Sequence, residues 1–308
     1  MDVLNDVLDT LKLKGILYFR TNFSEPWAIT VPAFNQVARF HLVIQGNCFV
    51  KNNDGKTIKI GPGDLALIPG GTSHILSSNA VNAAPPLETI LQSVAYDGKG
   101  VLAIGNGDPS AATQLICGHF SFRKGAEHPF LQALPSSIII RNAQRIQLPW
   151  LDELLRLMAR QVFVGNIGSE ATISRLSEMI LIELLRASTL ERSSKPSFVR
   201  ALSDGSIGKA LQLIHNNPSD PWTVQSLATE VGMSRSRFAA RFSEYIGFSP
   251  MAYLSDWRMQ KALSLLDERR STVQQIASLT GYRSSAAFTR AFSNKFGYSP
   301  TEYRQIST

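Results

Sequence analysis

The spacing of apolar positions along the chain changes character several times. In residues 1–13, Val3, Leu4, Val7, Leu8 and Leu11 recur at helical intervals, which predicts a short amphipathic helix. Between 15 and 125 the pattern shortens. Apolar runs at Gly15–Phe19, Trp27–Val31, Arg39–Val50, Thr57–Ile60, Leu65–Ile68 and Gln114–Phe122 are separated by Gly, Pro, Asn and Asp. Asn53-Asp54-Gly55 is a hairpin turn signal. Many short strands with tight turns predict a small barrel or sandwich. Residues 126–145 are broken by His128-Pro129 and Leu134-Pro135 around the run Ile138–Ile140. Helical spacing then returns. Leu151, Leu154, Leu155, Met158 and Val162 mark one helix. Ile173, Leu176, Met179, Ile180, Ile182, Leu184 and Leu185 mark a second, too apolar to stand alone. It needs a partner: the first helix, a second subunit or the strand-rich region. Residues 192–205, rich in Ser with Lys195-Pro196, read as a linker.

Beyond the linker the chain repeats itself. Leu227-Ala228-x-x-x-Gly232-x-Ser234-x-x-x-Phe238-x-x-x-Phe242 closes on Gly247-Phe248-Ser249-Pro250. Ile276-Ala277-x-x-x-Gly281-x-x-Ser284-x-x-x-Phe288-x-x-x-Phe292 closes on Gly297-Tyr298-Ser299-Pro300. Each copy spells a short helix, a glycine turn, a serine N-cap and a second helix with one aromatic face. The opposite face carries Arg235, Ser236, Arg237, Ala239, Ala240 and Arg241 in the first copy, and Ser285, Ala286, Ala287, Thr289 and Arg290 in the second. Small side chains with hydroxyls and guanidinium groups suit a helix that enters the DNA major groove. Met251–Leu266 between the copies reads as one helix that fixes their separation.

Charge agrees with that placement. Of the formal net charge of +7, residues 206–308 hold +5, with twelve Lys and Arg against seven Asp and Glu. Cation is therefore concentrated where phosphate contact is expected. Two cysteines, Cys48 and Cys117, are too few for a disulfide framework. The start Met-Asp-Val-Leu-Asn-Asp has no basic leader, and no run approaches 18 apolar residues, so a cytoplasmic protein without a membrane span is expected.

The duplicated region resembles the DNA-binding domain of AraC/XylS-type transcription regulators. Arg258-Met259, Ala262, Leu265-Leu266, Tyr282, Phe296 and Tyr303-Arg304 add to the motif residues already quoted. The resemblance implies that the second helix of each unit enters one of two adjacent major-groove segments. Carried over, the base-reading positions are Arg235, Ser236, Ala239 and Ala240, then Ser285, Ala286, Thr289 and Arg290. Alanine at 239 and 240 can still touch a thymine methyl.

A second resemblance lies upstream. Gly63-Asp64-Leu65-Ala66-Leu67-Ile68-Pro69-Gly70-Gly71-Thr72-Ser73-His74 is similar to the second motif of cupin barrels, and Phe40–Gly46 to the end of the first. Metal-dependent cupins carry a His-x-His pair and a Glu ahead of the first-motif Gly. Here that stretch reads Pro32-Ala33-Phe34-Asn35-Gln36-Val37-Ala38-Arg39. No metal cofactor is expected from it; His74, Cys48 and Cys117 are weak candidates for a soft metal or thiol-redox site. The preferred use of the domain is a small effector in an apolar cavity, with Trp27, Phe40, His41, His74 and Phe120 as lining candidates.

The expected fold is therefore two-domain α+β. A cupin-like sensor spans 1–145, a helical coupling or dimerisation segment 146–192, a linker 193–205, and an all-α DNA-binding domain 206–308 with helix-turn-helix units at 223–250 and 272–300. The expected function is a non-enzymatic, sequence-specific transcriptional regulator, a homodimer that binds double-stranded DNA and a small effector. The alternative is a cupin-type enzyme, or a thiol or metal sensor, with an accessory DNA-binding domain.

Overall fold

The computed structural model describes residues 2–34, 37–98, 100–105, 107–108, 110–123, 125, 128, 131, 134–145, 147–164, 167–190 and 198–306. Asn35, Gln36 and Pro129 lie outside the described residues, as does the start of the linker stretch at 191–197. The chain divides into two compact units. One contains residues 13–122 and 134–192; the other contains 1–12, 123–133 and 193–308.

The first unit is built on two sheets. Strands β1 (Lys14–Phe23), β3 (Val37–Gln45), β6 (Leu65–Ile68), β8 (Val101–Ile104), β9 (Gln114–Ser121) and β10 (Ile138–Ile140) form a six-stranded sheet ordered β10-β6-β3-β9-β1-β8. Strands β2 (Ala28–Val31), β4 (Cys48–Lys51), β5 (Thr57–Ile60) and β7 (His74–Ser77) form a second sheet ordered β2-β7-β4-β5. The long apolar run at 39–50 is divided into β3 and β4 at Gly46, whose φ of 77° a side chain would resist. The Asn-Asp-Gly signal forms the turn between β4 and β5, with the Lys56 carbonyl accepting from the Asn52 N–H at 3.0 Å. Inward residues of both sheets, including Val43, Val50, Ile60, Ala66, Leu76 and Leu115, share one apolar core. That core is a sandwich interior formed by period-two alternation.

Helix α2 (Leu87–Ser93) and short α3 (Asn142–Arg145) decorate this unit. The two helices read at 148–191 are present as α4 (Pro149–Val164) and α5 (Ser169–Leu190). They pack on each other, and α5 also lies on β1. Gly15 permits that approach: an added Cβ would stand 2.5 Å from the Ser177 Cβ and 2.9 Å from the Ser174 carbonyl. Ser174 Oγ donates to the Gly15 carbonyl at 2.8 Å. The apolar excess of α5 is thereby buried within its own unit at Ile173, Ile180, Leu181, Leu184 and Leu185. Trp150 on α4 and Met179 on α5 stay exposed, at 76% and 51%.

The second unit is all helix. It contains α1 (Val3–Leu11), α6 (Phe198–Ser203), α7 (Ile207–Asn216), α8 (Val224–Glu230), α9 (Arg235–Ile246), α10 (Pro250–Glu268), α11 (Val273–Leu279), α12 (Ser285–Phe296) and α13 (Pro300–Ile306). Helix α6 lies inside the stretch read as a linker, because Phe198 and Ala201 are fully buried. Helix α1 packs on α7 and α10, its polar residue Asp6 buried with its apolar face.

Candidate nucleic-acid interface and apolar cavity

Each repeat is a helix-turn-helix, and local chemistry explains the turns. Thr223 opens α8 with a capping box to Ser226, and Thr272 opens α11 with the same device to Gln275. Gly232 and Gly281 have φ of 66° and 77°, reversing the chain where a Cβ would clash with its own backbone. Ser234 and Ser284 then cap α9 and α12 by accepting from the Arg237 and Ala287 N–H groups. Gly247 and Gly297 end both helices in the left-handed region at φ 80°. Phe238, Phe242, Phe288 and Phe292 are fully buried, which fixes the rotation of each second helix about its axis. Leu254, Trp257, Met259, Ala262, Leu263 and Leu266 bury the connecting helix α10. Arg258 on that helix donates to the Pro218 and Asp220 carbonyls at 2.7 and 2.8 Å, tying down the loop before α8.

That rotation decides what is offered outward. Arg235, Ser236, Arg237 and Ala240 are exposed on α9, as are Ser285, Ala286 and Arg290 on α12. Ala239 and Thr289 are half-buried at the edge of each face. Arg241 is turned inward to an ion pair with Asp204, whose carboxyl this contact helps hold below its ordinary pKa against partial burial. Arg283, exposed in the turn before α12, is a cation that motif reading passed over. Its signal was its position beside the Ser284 cap.

The sheet unit contains an apolar cavity of about 210 Å³. Its walls come from Phe19, Phe23, Ile29, Leu76, Leu91 and Leu102, with further apolar side chains from β2 and α2. Thr21, Arg39, His41, Glu88 and Cys117 supply its polar groups. Of the five lining candidates, His41 faces this cavity and His74 stands directly behind it. Phe40 and Phe120 do not line it. They sit one residue out of phase with Arg39, His41 and Cys117, so the two-residue period sends them to the other face of the sheet. There their ring centroids lie 5.2 Å apart. Trp27 is buried against Phe23, centroids 4.9 Å apart, in the core beyond the cavity wall.

His41 and Cys117 are directly opposed in the β3–β9 ladder. His41 Nδ1 lies 3.2 Å from Cys117 Sγ, and His41 Nε2 lies 2.8 Å from His74 Nε2. His74 Nδ1 meets the Thr72 carbonyl at 2.9 Å. Burial and the Arg39 charge keep both imidazoles neutral; His74 is lowered to about 4. Burial pushes the Cys117 thiol up, and Cys48 up to about 12. Cys48 is fully buried and its thiol points to the Phe49 carbonyl. Among the described residues no three His, Cys, Asp or Glu groups converge as a metal-ligand set. The weak candidates His74, Cys48 and Cys117 are therefore not brought around one point.

Two capped helices with outward cationic faces in one unit, beside a two-sheet unit, define a DNA-binding regulator. Comparison with known proteins agrees. Residues 2–189 match the family described as Cupin, and residues 227–306 a family described as Helix-turn-helix domain. The HTH-type transcriptional regulator AlkR of Acinetobacter baylyi is 33% identical over all of this chain and all of its own length. An AraC-like transcription regulator of Streptomyces antibioticus is 31% identical over 99% of each chain. A crystal structure of an AraC-type regulator from Chromobacterium violaceum is 28% identical, covering 35% of this chain and 96% of that one, with a TM-score of 0.33. The chain belongs to the AraC-type transcriptional regulators that carry an N-terminal cupin domain. No described helix is long and apolar enough to cross a membrane.

Proposed function

We propose that this regulator reads DNA by placing α9 and α12 in two successive major-groove segments on one face of the duplex. Arg235, Ser236, Ala239 and Ala240 meet base edges from the first helix, and Ser285, Ala286, Thr289 and Arg290 from the second. Arg237 and Arg241 serve phosphates, Arg241 after release from Asp204. The observation that carries this reading is the matched exposure of both faces, each set by a serine cap and two buried phenylalanines. The cavity holds a small apolar effector and the protein acts in the cytoplasm. It assembles as a homodimer through the face of α4 and α5 that leaves Trp150 and Met179 exposed. It works by stoichiometric binding, not turnover. Activation is the proposed direction of control: a relative in Escherichia coli, 25% identical over 99% of this chain, is named a transcriptional activator.

The test is base-specific. Arg290→Ala should weaken operator binding by about 1–3 kcal/mol and relax preference at one base pair. An equal loss on random DNA would make Arg290 a phosphate contact and remove it from the readers.

A further inference from the structure

The hydrogen bonds behind the cavity have a fixed direction. The Thr72 carbonyl can only accept, so His74 Nδ1 carries a proton and His74 Nε2, in the neutral ring, presents a lone pair. His41 Nε2, 2.8 Å away, must then donate to it. That leaves the lone pair of neutral His41 on Nδ1, where it faces Cys117 Sγ at 3.2 Å and accepts the thiol proton. The three groups stand in series, thiol to imidazole to imidazole to carbonyl. This path leads a proton away from the sulfur, and the sulfur also borders the cavity. An inert core cysteine needs no such arrangement. A nucleophile does: base within reach, base oriented by a third group.

We propose that Cys117 is a covalent capture site for a small apolar α,β-unsaturated carbonyl compound. The proposal rests on the effector reading above and names the effector's chemical class. The step balances without a co-reactant. The Sγ lone pair bonds to the β-carbon of the ligand as the thiol proton passes to His41 Nδ1 and the Nε2 proton of His41 passes to His74. The C=C electron pair moves to the α-carbon and is shared with the carbonyl oxygen as an enolate. The same two protons then return, His74 to His41 and His41 to the α-carbon, leaving a thioether and neutral imidazoles. Arg39, whose charge acts on Cys117, His41 and His74, lines the same cavity and suits the enolate oxygen. Size limits the ligand. About 150 Å³ of apolar space holds one benzene, so 210 Å³ admits a short enal or enone.

The test uses the full chain and trans-2-hexenal, read by intact mass and peptide mapping. One equivalent should add at Cys117 and none at Cys48. Cys117→Ser should gain no mass. His41→Gln should label roughly 100-fold more slowly, the scale of general-base assistance. His74→Gln, which leaves His41 in place, should slow labelling by a smaller factor and keeps the test open if the first variant does not fold. Labelling of Cys117 no faster than a thiol of the urea-unfolded chain, or equal rates in wild type and both His variants, overturns the proposal. The saturated alcohol 1-hexanol, followed by chemical-shift change of the His41 ring, separates the two claims. Hexanol binding without hexenal capture sinks the covalent step and leaves the cavity a reversible effector site. Failure of both sinks the effector reading as well.

Discussion

Asp6 on α1 is 209 residues away from His215 on α7, yet its carboxylate accepts from His215 Nδ1 at 2.9 Å. The side chains are 2% and 1% exposed. Lys261 Nζ on α10 approaches the other carboxylate oxygen. The Tyr253 hydroxyl donates to His215 Nε2 at 2.6 Å and accepts from His128 Nε2 at 3.2 Å. His215 also stacks on Trp257, centroids 4.0 Å apart. Asp6→Ala would leave the His215 N–H buried without an acceptor, while Lys261, 27% exposed, can turn to water. Loss of one member of a buried pair costs about 3–5 kcal/mol, and the mobile lysine places this case near 3. Amide hydrogen exchange along α10 reads that loss directly. Exchange should accelerate on the order of 100-fold, since each 1.4 kcal/mol is about tenfold. The pH dependence has a defined sign. Burial raises the Asp6 carboxyl, but hydrogen bonds from His215 and Lys261 more than offset it, so its pKa is held below the ordinary value of 3.8. Burial first, and Lys261 further, lower His215 below 6.5 against the pull of Asp6. Both depressed groups stabilise the fold at neutral pH. Protection along α10 should start to fall below about pH 6.5, as an unfolded histidine would protonate, and fall further below about pH 4 as Asp6 titrates. Less than a threefold change in exchange for Asp6→Ala, or protection that is flat from pH 7 to pH 5, would refute this account of α1.

Other perturbations separate roles elsewhere. Gly15→Ala drives a Cβ to within 2.5 Å of Ser177 and 2.9 Å of a backbone carbonyl; thermal unfolding of the sheet unit should show a loss of about 1–3 kcal/mol. Arg241→Ala breaks a pair in which the arginine is 40% exposed, so thermal unfolding should change little. If Arg241 meets a phosphate, the salt dependence of DNA binding should lose about one unit of slope. Cys48→Ser should leave effector response intact, because that thiol is fully buried and bonded to its own strand; loss of response in a folded Cys48→Ser protein would shift the site of action to that cysteine.

Much of the helical unit is legible in the sequence because its signals are local. Gly232, Ser234, Phe238 and Phe242, and their partners Gly281, Ser284, Phe288 and Phe292, each act within one turn or one helix. Strands β5 and β6 follow the apolar runs for the same reason. What is not legible depends on pairings distant in sequence. Helix α1 reads as a short amphipathic helix, and nothing in Asp6 announces that its partner is His215. Phe198 sits in a Ser-rich stretch that reads as a linker, yet its side chain is fully buried. In the cavity, His41 and Cys117 were each visible as chemistry-bearing residues. Their register, which places one opposite the other, is set by the whole β3–β9 ladder. Phe40 and Phe120 differ from the cavity-lining residues by one position of strand parity, the smallest shift that moves a side chain to the opposite face.

The central claim is that α9 and α12 read one duplex together. Hydroxyl-radical footprinting with missing-base interference on the bound operator measures it most directly. The account predicts two patches of base contact on the same face, centred about one helical turn (10–10.5 base pairs) apart, with Arg290→Ala erasing contact in one patch and Arg235→Ala in the other. A single patch, or two patches on opposite faces of the duplex, would contradict it.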